Sequence, residues 1–306
     1  MLIFNFDDFW KAMNQSPVSR RKFSSRWREI KSSPHPLKTL AAGVSRAARR
    51  AINESKNLII EEQIIYLERL PPEMDGLRVV QLSDVHHSPF IDAEQIKDSV
   101  SIANYLRPDI TVLTGDYVSH GTDYIAPVAD ILGELRAPQG VYAVLGNHDY
   151  RTDARLITDL FRAEGIRVLV NEGLHLTKNG ATLWLCGIDD TLYGAPDLEL
   201  ALAGSRPSEL KFLLCHNPAI LRRAATVGVD LIVSGHTHGG QIRLRANEEN
   251  LILPRRPRAS GLLRRGAAQI YFSRGIGTVV LPFRYQCPPE ITLLELRNAE
   301  CGMRIK

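Results

Sequence analysis

Short apolar runs that each end in polar residues organise this chain. Leu77–Ser83 leads into Asp84-Val85-His86, and Ile110–Thr114 leads into Gly115-Asp116. Val141–Leu145 leads into Gly146-Asn147-His148-Asp149, and Leu210–Cys215 into His216-Asn217-Pro218. A fifth run, Asp230–Val233, ends at Ser234-Gly235-His236-Thr237-His238-Gly239-Gly240. Their near-continuous apolar character predicts strands covered on both faces. Helical patterns over 93–106, 124–135 and 154–163 separate the first of them, and further strands are expected at 167–170, 182–187, 269–272 and 291–296. The order predicts an α/β first half and a β-rich second half. In such sheets ligands bind beyond the carboxyl ends of the strands, where these polar residues fall.

The residue types at those ends have the chemistry of metal ligation. His236 and His238 stand two apart, so on an extended chain they share a face, and the flanking glycines let the backbone pass close to whatever sits there. Each motif has a plainer alternative when taken alone. An Asp at a strand end caps a helix or closes a turn, a buried His216 is a hydrogen-bonded core residue, and Asn147 after Gly146 is turn chemistry. Five such motifs in order point instead to one centre. His35, His120 and His175 have no such context and read as surface or loop residues. His87 adjoins His86 but points the other way if the chain stays extended.

These residues resemble the calcineurin-like metallophosphoesterases, whose pattern is D-x-H, G-D, G-N-H-D, a lone His and G-H-x-H. The resemblance spans roughly residues 75 to 297. It implies a two-sheet β-sandwich flanked by helices, in αββα order. It also implies two divalent metal ions, with Asp84, His86 and His238 on one, Asn147, His216 and His236 on the other, and Asp116 bridging. His148 would act on the substrate phosphate, with Asp149 orienting its ring. Two metals about 3.5–4 Å apart clamp a phosphoryl group and activate a water near neutral pH, so no protein nucleophile is required. Mixed N/O ligation without thiolate suits Mn, Fe, Zn or Co, and Mn is favoured. The segments Tyr271–Thr278 and Leu281–Ile291 are similar to the bacterial YaeI/YkuE-type branch, which is related to the UDP-2,3-diacylglucosamine pyrophosphatases. There Arg274 and Arg284 either bind substrate phosphates or pair with carboxylates.

The expected activity is hydrolysis of a phosphodiester or pyrophosphate. The substrate is expected to be a lipid-linked one such as UDP-2,3-diacylglucosamine, because Leu251–Arg258 and Gly261–Arg265 mix apolar and basic residues beside the phosphoryl site. A general phosphodiesterase or phosphatase on soluble substrates is the alternative, and a non-catalytic scaffold on the same fold is the alternative from another class. The scaffold ranks low because every ligand position is filled.

Charge separates the amino terminus from the rest. Residues 1–56 hold 12 Lys/Arg against 4 Asp/Glu, a net of +8, so with +4 overall the remainder carries −4. We therefore place a basic extension at 1–56 and the catalytic domain at 57–306. Met1–Trp10 is rich in aliphatic and aromatic residues, which beside a basic cluster suits an anionic membrane surface. No run of 18 apolar residues occurs, so a spanning helix is not expected. Ser19-Arg20-Arg21-Lys22-Phe23 is similar to a twin-arginine export signal but lacks the apolar stretch that should follow. A cytoplasmic location, or one on the cytoplasmic membrane face, ranks above export. A nucleic-acid partner is not expected, and the oligomeric state is left open. Cys186, Cys215, Cys287 and Cys301 show no framework spacing, and Cys215 reads as a buried strand residue.

Overall fold

The computed structural model describes residues 49, 51–245, 249–250 and 260–300. His35, Cys301, Met1–Trp10, Leu251–Arg258 and most of the basic extension lie outside them. The compact unit begins at Ala51, ahead of the boundary drawn from composition. Residues 51–56 are helical, Ala51 is buried, and Glu54 accepts the Cys287 N–H.

Its strands are β1 (Ile59–Leu67), β2 (Leu77–Leu82), β3 (Ile110–Thr114), β4 (Val141–Val144), β5 (Arg167–Val168), β6 (Glu172–Lys178), β7 (Ala181–Gly187), β8 (Lys211–Leu214), β9 (Leu231–Ser234), β10 (Arg243–Arg245), β11 (Glu249–Asn250), β12 (Gly261–Arg265), β13 (Ala268–Phe272) and β14 (Glu290–Asn298). One six-stranded sheet runs β1-β14-β2-β3-β4-β5 and a second runs β12-β13-β9-β8-β7-β6, with β10 and β11 forming a separate ribbon. In the first, β2 through β5 are parallel; in the second, β7, β8, β9 and β13 are parallel. Parallel neighbours end at the same edge, so each sheet presents several strand termini side by side.

Side chains alternate across each strand, and the two faces go to different partners. Val79, Ile110, Val112 and Val144 from the first sheet meet Leu185, Phe212, Leu214 and Val233 from the second in a core between the sheets. The other face of the first sheet packs Val80, Leu82 and Leu113 against helices α1 (Ala93–Tyr105), α2 (Ile125–Leu132) and, beyond the short α3 (Asn147–Thr152), α4 (Ala154–Ala163). The outer face of the second sheet packs Trp184, Leu213, Ile232 and Phe272 against α5 (Leu198–Leu202) and α6 (Leu221–Thr226). Burial on both faces explains the unbroken apolar runs, and the helix–sheet–sheet–helix layering is the expected αββα sandwich.

Candidate metal centre

The loops that leave β2, β3, β4, β8 and β9 meet at one edge of the sandwich. Asp84, His86, Asp116 and His216 are buried to 2% exposure or less, with Asn147 at 7% and His238 at 5%. Asp116 Oδ2 lies 3.2 Å from His216 Nε2 and 3.6 Å from His86 Nε2. His238 Nε2 is 3.3 Å from Asp84 Oδ1 and 3.1 Å from His86 Nε2. On the other side, His216 Nε2 is 3.2 Å from both Asn147 Oδ1 and His236 Nδ1. All seven residues named for metal ligation thus aim donor atoms at one small volume. Six of them fall into the groups Asp84/His86/His238 and Asp116/His216/His236, and a third group joins His86 and Asp116 to His148. A cleft of about 640 Å³ among Arg107, Asp109, Arg136 and Gly165 holds none of them.

The backbone is bent to achieve this. Asp84 (φ 50°), His86 (51°), Asp116 (58°), His236 (70°) and His238 (49°) all occupy the left-handed region. Each such residue costs of order 1–3 kcal/mol, and strain of this kind persists where the surrounding structure enforces it. Two glycines make the close approach possible. A Cβ at Gly146 would overlap the Asp116 carboxylate, and one at Gly235 would overlap Ser83 Oγ and the Asp84 carboxylate.

The electrostatics fit divalent cations. Burial pushes His86 down to about 3 and His238 well below the ordinary imidazole value, so both rings stay neutral with a lone pair to give. Burial raises Asp84 to about 6. Burial would also raise Asp116 and lower His216, but their mutual attraction wins. Asp116 is held below the usual carboxylate range and His216 is pushed up to about 10. His238 Nδ1 is buried without a hydrogen-bond partner. Crowded nitrogen lone pairs beside two buried carboxylates call for positive charge between them, and the N/O donor set matches two divalent ions.

Residues 77–240 match the calcineurin-like phosphoesterase family. The chain belongs to the calcineurin-like metallophosphoesterases. It is 32% identical over 242 residues to the uncharacterized metallophosphoesterase YkuE of Bacillus subtilis, covering 78% of this chain and 85% of that one. It is 30% identical over 224 residues to the phosphodiesterase YaeI of Escherichia coli, covering 72% and 82%. A bovine transmembrane protein with metallophosphoesterase domain is 35% identical over 251 residues, covering 76% of this chain but only 56% of the bovine protein. The chain is accordingly a metal-dependent hydrolase of phosphoric esters.

Several side chains in this metallophosphoesterase sit differently from the sequence expectation. Asp149 does not orient the His148 ring. Its carboxylate accepts the backbone N–H groups of Asp116, Gly146 and Tyr117, each at 2.8 Å, and so ties the loops after β3 and β4 together. Burial pushes it up to about 7, against those N–H groups, which favour its charged form. The His148 ring is held instead by the Ser119 carbonyl, 2.9 Å from Nδ1, and Ser119 Oγ lies 3.2 Å from His86 Nδ1. Nothing in the sequence around Ser119 signals this.

The two arginines are occupied. Arg284 is fully buried and donates to the carbonyls of Gly277, Arg274, Gly275, Cys287 and His238. It clips the carboxyl-terminal loop to the His238 turn and cannot reach a substrate. Arg274 pairs with Glu61 at 2.7 Å and with Glu290, the carboxylate alternative of the two. Residues 261–265, expected in a basic loop, form the edge strand β12. Because β12 is antiparallel to β13, Arg264 and Arg265 lie at the edge away from the metal centre. His87 is buried, with Nδ1 2.8 Å from the Ile91 carbonyl, and takes no part in the site. His175 lies on β6, 3.2 Å from Glu209, and His120 is exposed.

Proposed function

We propose that this protein hydrolyses a phosphodiester or pyrophosphate bond at a two-metal centre. Asp84, His86 and His238 hold one ion, Asn147, His216 and His236 the other, and Asp116 bridges. The single observation that carries this is the convergence of all seven donors at one edge, five of them (Asp84, His86, Asp116, His236 and His238) through left-handed backbone. When bound, the two divalent ions neutralise phosphoryl charge and supply an activated water. The chain's own contribution is orientation. The Ser119 carbonyl accepts from His148 Nδ1–H, which leaves Nε2 toward the site, able to stabilise the phosphoryl group or protonate the leaving oxygen. Asp149 fixes the Asp116 backbone so that its carboxylate stays between the two halves.

The substrate side of this reading is a lipid-linked phosphate ester, with UDP-2,3-diacylglucosamine as the test compound and Mn as the first metal. Exposed Phe90 (64%), Leu192 (55%) and Val280 (85%) support it, because they stand on loops that leave the same edge of the sandwich as the proposed ligands. A soluble diester is the second reading. The amino terminus, with its +8 charge and its Phe4, Phe6, Phe9 and Trp10, is proposed to dock on anionic membrane at the cytoplasmic face. Among the described residues no helix is long and apolar enough to cross a membrane.

Metal-free protein reconstituted with Mn, Fe, Zn or Co and offered UDP-diacylglucosamine, bis-p-nitrophenyl phosphate and p-nitrophenyl phosphate tests the metal and substrate readings. Two metals per chain and turnover of the first compound support the proposal. Turnover confined to the small esters removes the lipid-linked substrate, and no turnover with full metal content removes the function.

A further inference from the structure

The loop after β7 is built more rigidly than a connection requires. Gly187 pairs in register with Leu214, two residues before His216, so Asp189 leaves its sheet beside the metal centre. The Asp189 carboxylate accepts the Tyr150 hydroxyl and the N–H groups of Asp190 and Ala195, each of these two at 2.8 Å. Asp190 Oδ1 accepts from Leu192 N at 3.0 Å and Tyr193 N at 2.8 Å. Asn171 closes the loop by accepting from Asp189 and Asp197 and donating to the Ala195 carbonyl. All these bonds turn inward, yet the tip leaves Tyr193 54% exposed. The Arg151 guanidinium sits over that ring, 5.8 Å from its centre.

Arg151 is also tied to the chemistry. It stands three residues after His148 on α3, and residues three apart are neighbours on a helix surface. The hydroxyl bond from Tyr150 to Asp189 locks the loop against that same helix. A rigid loop thus holds an aromatic face and a permanent cation one helical turn from the histidine that faces the phosphate. Preset loops lose little entropy on binding, which is how such a surface gains affinity.

We propose that Tyr193 and Arg151 form the subsite for the organic part of the substrate, and that this part is a planar aromatic group carried on phosphate, as in a nucleotide. The inference deepens the proposed phosphoesterase reading and rests on it. A base stacks on the tyrosine ring, and the guanidinium meets a phosphate oxygen beside the reacting one. An alkyl group would use neither.

Calorimetric titration of Mn-loaded full-length protein with adenosine monophosphate and with inorganic phosphate tests this. Tyr193→Ala should weaken adenosine monophosphate binding by about 5- to 100-fold while the phosphate affinity stays within about twofold. Tyr193→Phe should bind like the parent, because the ring face is retained. Equal nucleotide affinity in Tyr193→Ala and the parent overturns the proposal. A parallel loss of nucleotide and phosphate binding also overturns it, since the loop would then act through the metal centre. Parent protein that binds neither ligand overturns the metal-site reading itself, and the subsite with it.

Discussion

The two sheets contribute unlike halves to the centre. The first sheet supplies Asp84 and His86 after β2, Asp116 after β3, and Asn147 and His148 after β4. The second supplies imidazoles alone, His216 after β8 and His236 and His238 after β9. Both buried carboxylates therefore come from one layer, and three of the converging histidines from the other. Neither layer holds a full set, since each proposed ion takes ligands from both. Gln81 Nε2 crosses between them just below the site, donating to the Ser234 carbonyl at 2.8 Å. The charge pattern cuts across this division, since burial lowers His238 of the second layer as it lowers His86 of the first. His216 faces Asp116 and is pushed up to about 10, whereas burial holds His86 down at about 3. The centre is thus a property of the packed sandwich, and its metals should bind one layer to the other.

Asp116→Asn strikes both halves at once and should have the largest effect. It removes the carboxylate that contacts both His216 and His86, leaving their environment without its compensating charge. Removing one partner of a buried charged pair costs about 3–5 kcal/mol, so affinity for both metals should fall by about 10²–10⁴-fold and turnover with it. Metal content after dialysis, set beside the rate at saturating Mn, measures this. Parent-like activity in Asp116→Asn would end the bridging assignment.

This division was only partly legible in the sequence. The five ligand-bearing strands announce themselves because burial on both faces leaves unbroken apolar runs, each stopped by its ligands. The edge strands β1 and β6 do not. β1 exposes Ile60, Glu62, Ile64 and Tyr66 on one face, so its apolar residues Ile59, Ile60, Ile64 and Ile65 recur at nearly helical spacing. β6 is half-exposed along most of its length and carries no alternation strong enough to name it. The proposed ligands stand out in the sequence because their chemistry lies in residue type. The role of Asp149 and that of Ser119 toward His148 do not, because both work through backbone groups, which carry no sequence signal. Arg284 misled for a related reason. A guanidinium suggests phosphate, but its five donors serve a crowded loop's carbonyls equally well.

His148→Ala separates turnover from ligation, within the first sheet's share. His148 is partly exposed, and its Nδ1 is already committed to the Ser119 carbonyl. Removing the ring should lower the rate by about 10²–10⁴-fold while both metals remain bound. Loss of a metal on this substitution would instead make His148 a ligand, through the group it forms with His86 and Asp116.

The smallest expected effect distinguishes the two proposed ion sites from each other. His86 is oriented by a side chain, Ser119 Oγ at 3.2 Å from Nδ1, whereas His216 is oriented by the backbone carbonyl of Thr114 at 2.7 Å. Only the first contact can be removed by substitution. Partners of this kind fix the ring and its tautomer, and losing one typically costs 10–100-fold in metal affinity. Ser119→Ala should therefore weaken the ion held by Asp84, His86 and His238 by about that factor and spare the other. His148 keeps its contact, since that bond uses the Ser119 carbonyl and survives the change. Ser119→Thr should restore the hydroxyl and most of the affinity. A calorimetric metal titration reads both steps in one experiment: one binding step should shift and the other stay. If both shift together in Ser119→Ala, the two ions are coupled through Asp116 too tightly for either layer's ligands to be tuned alone.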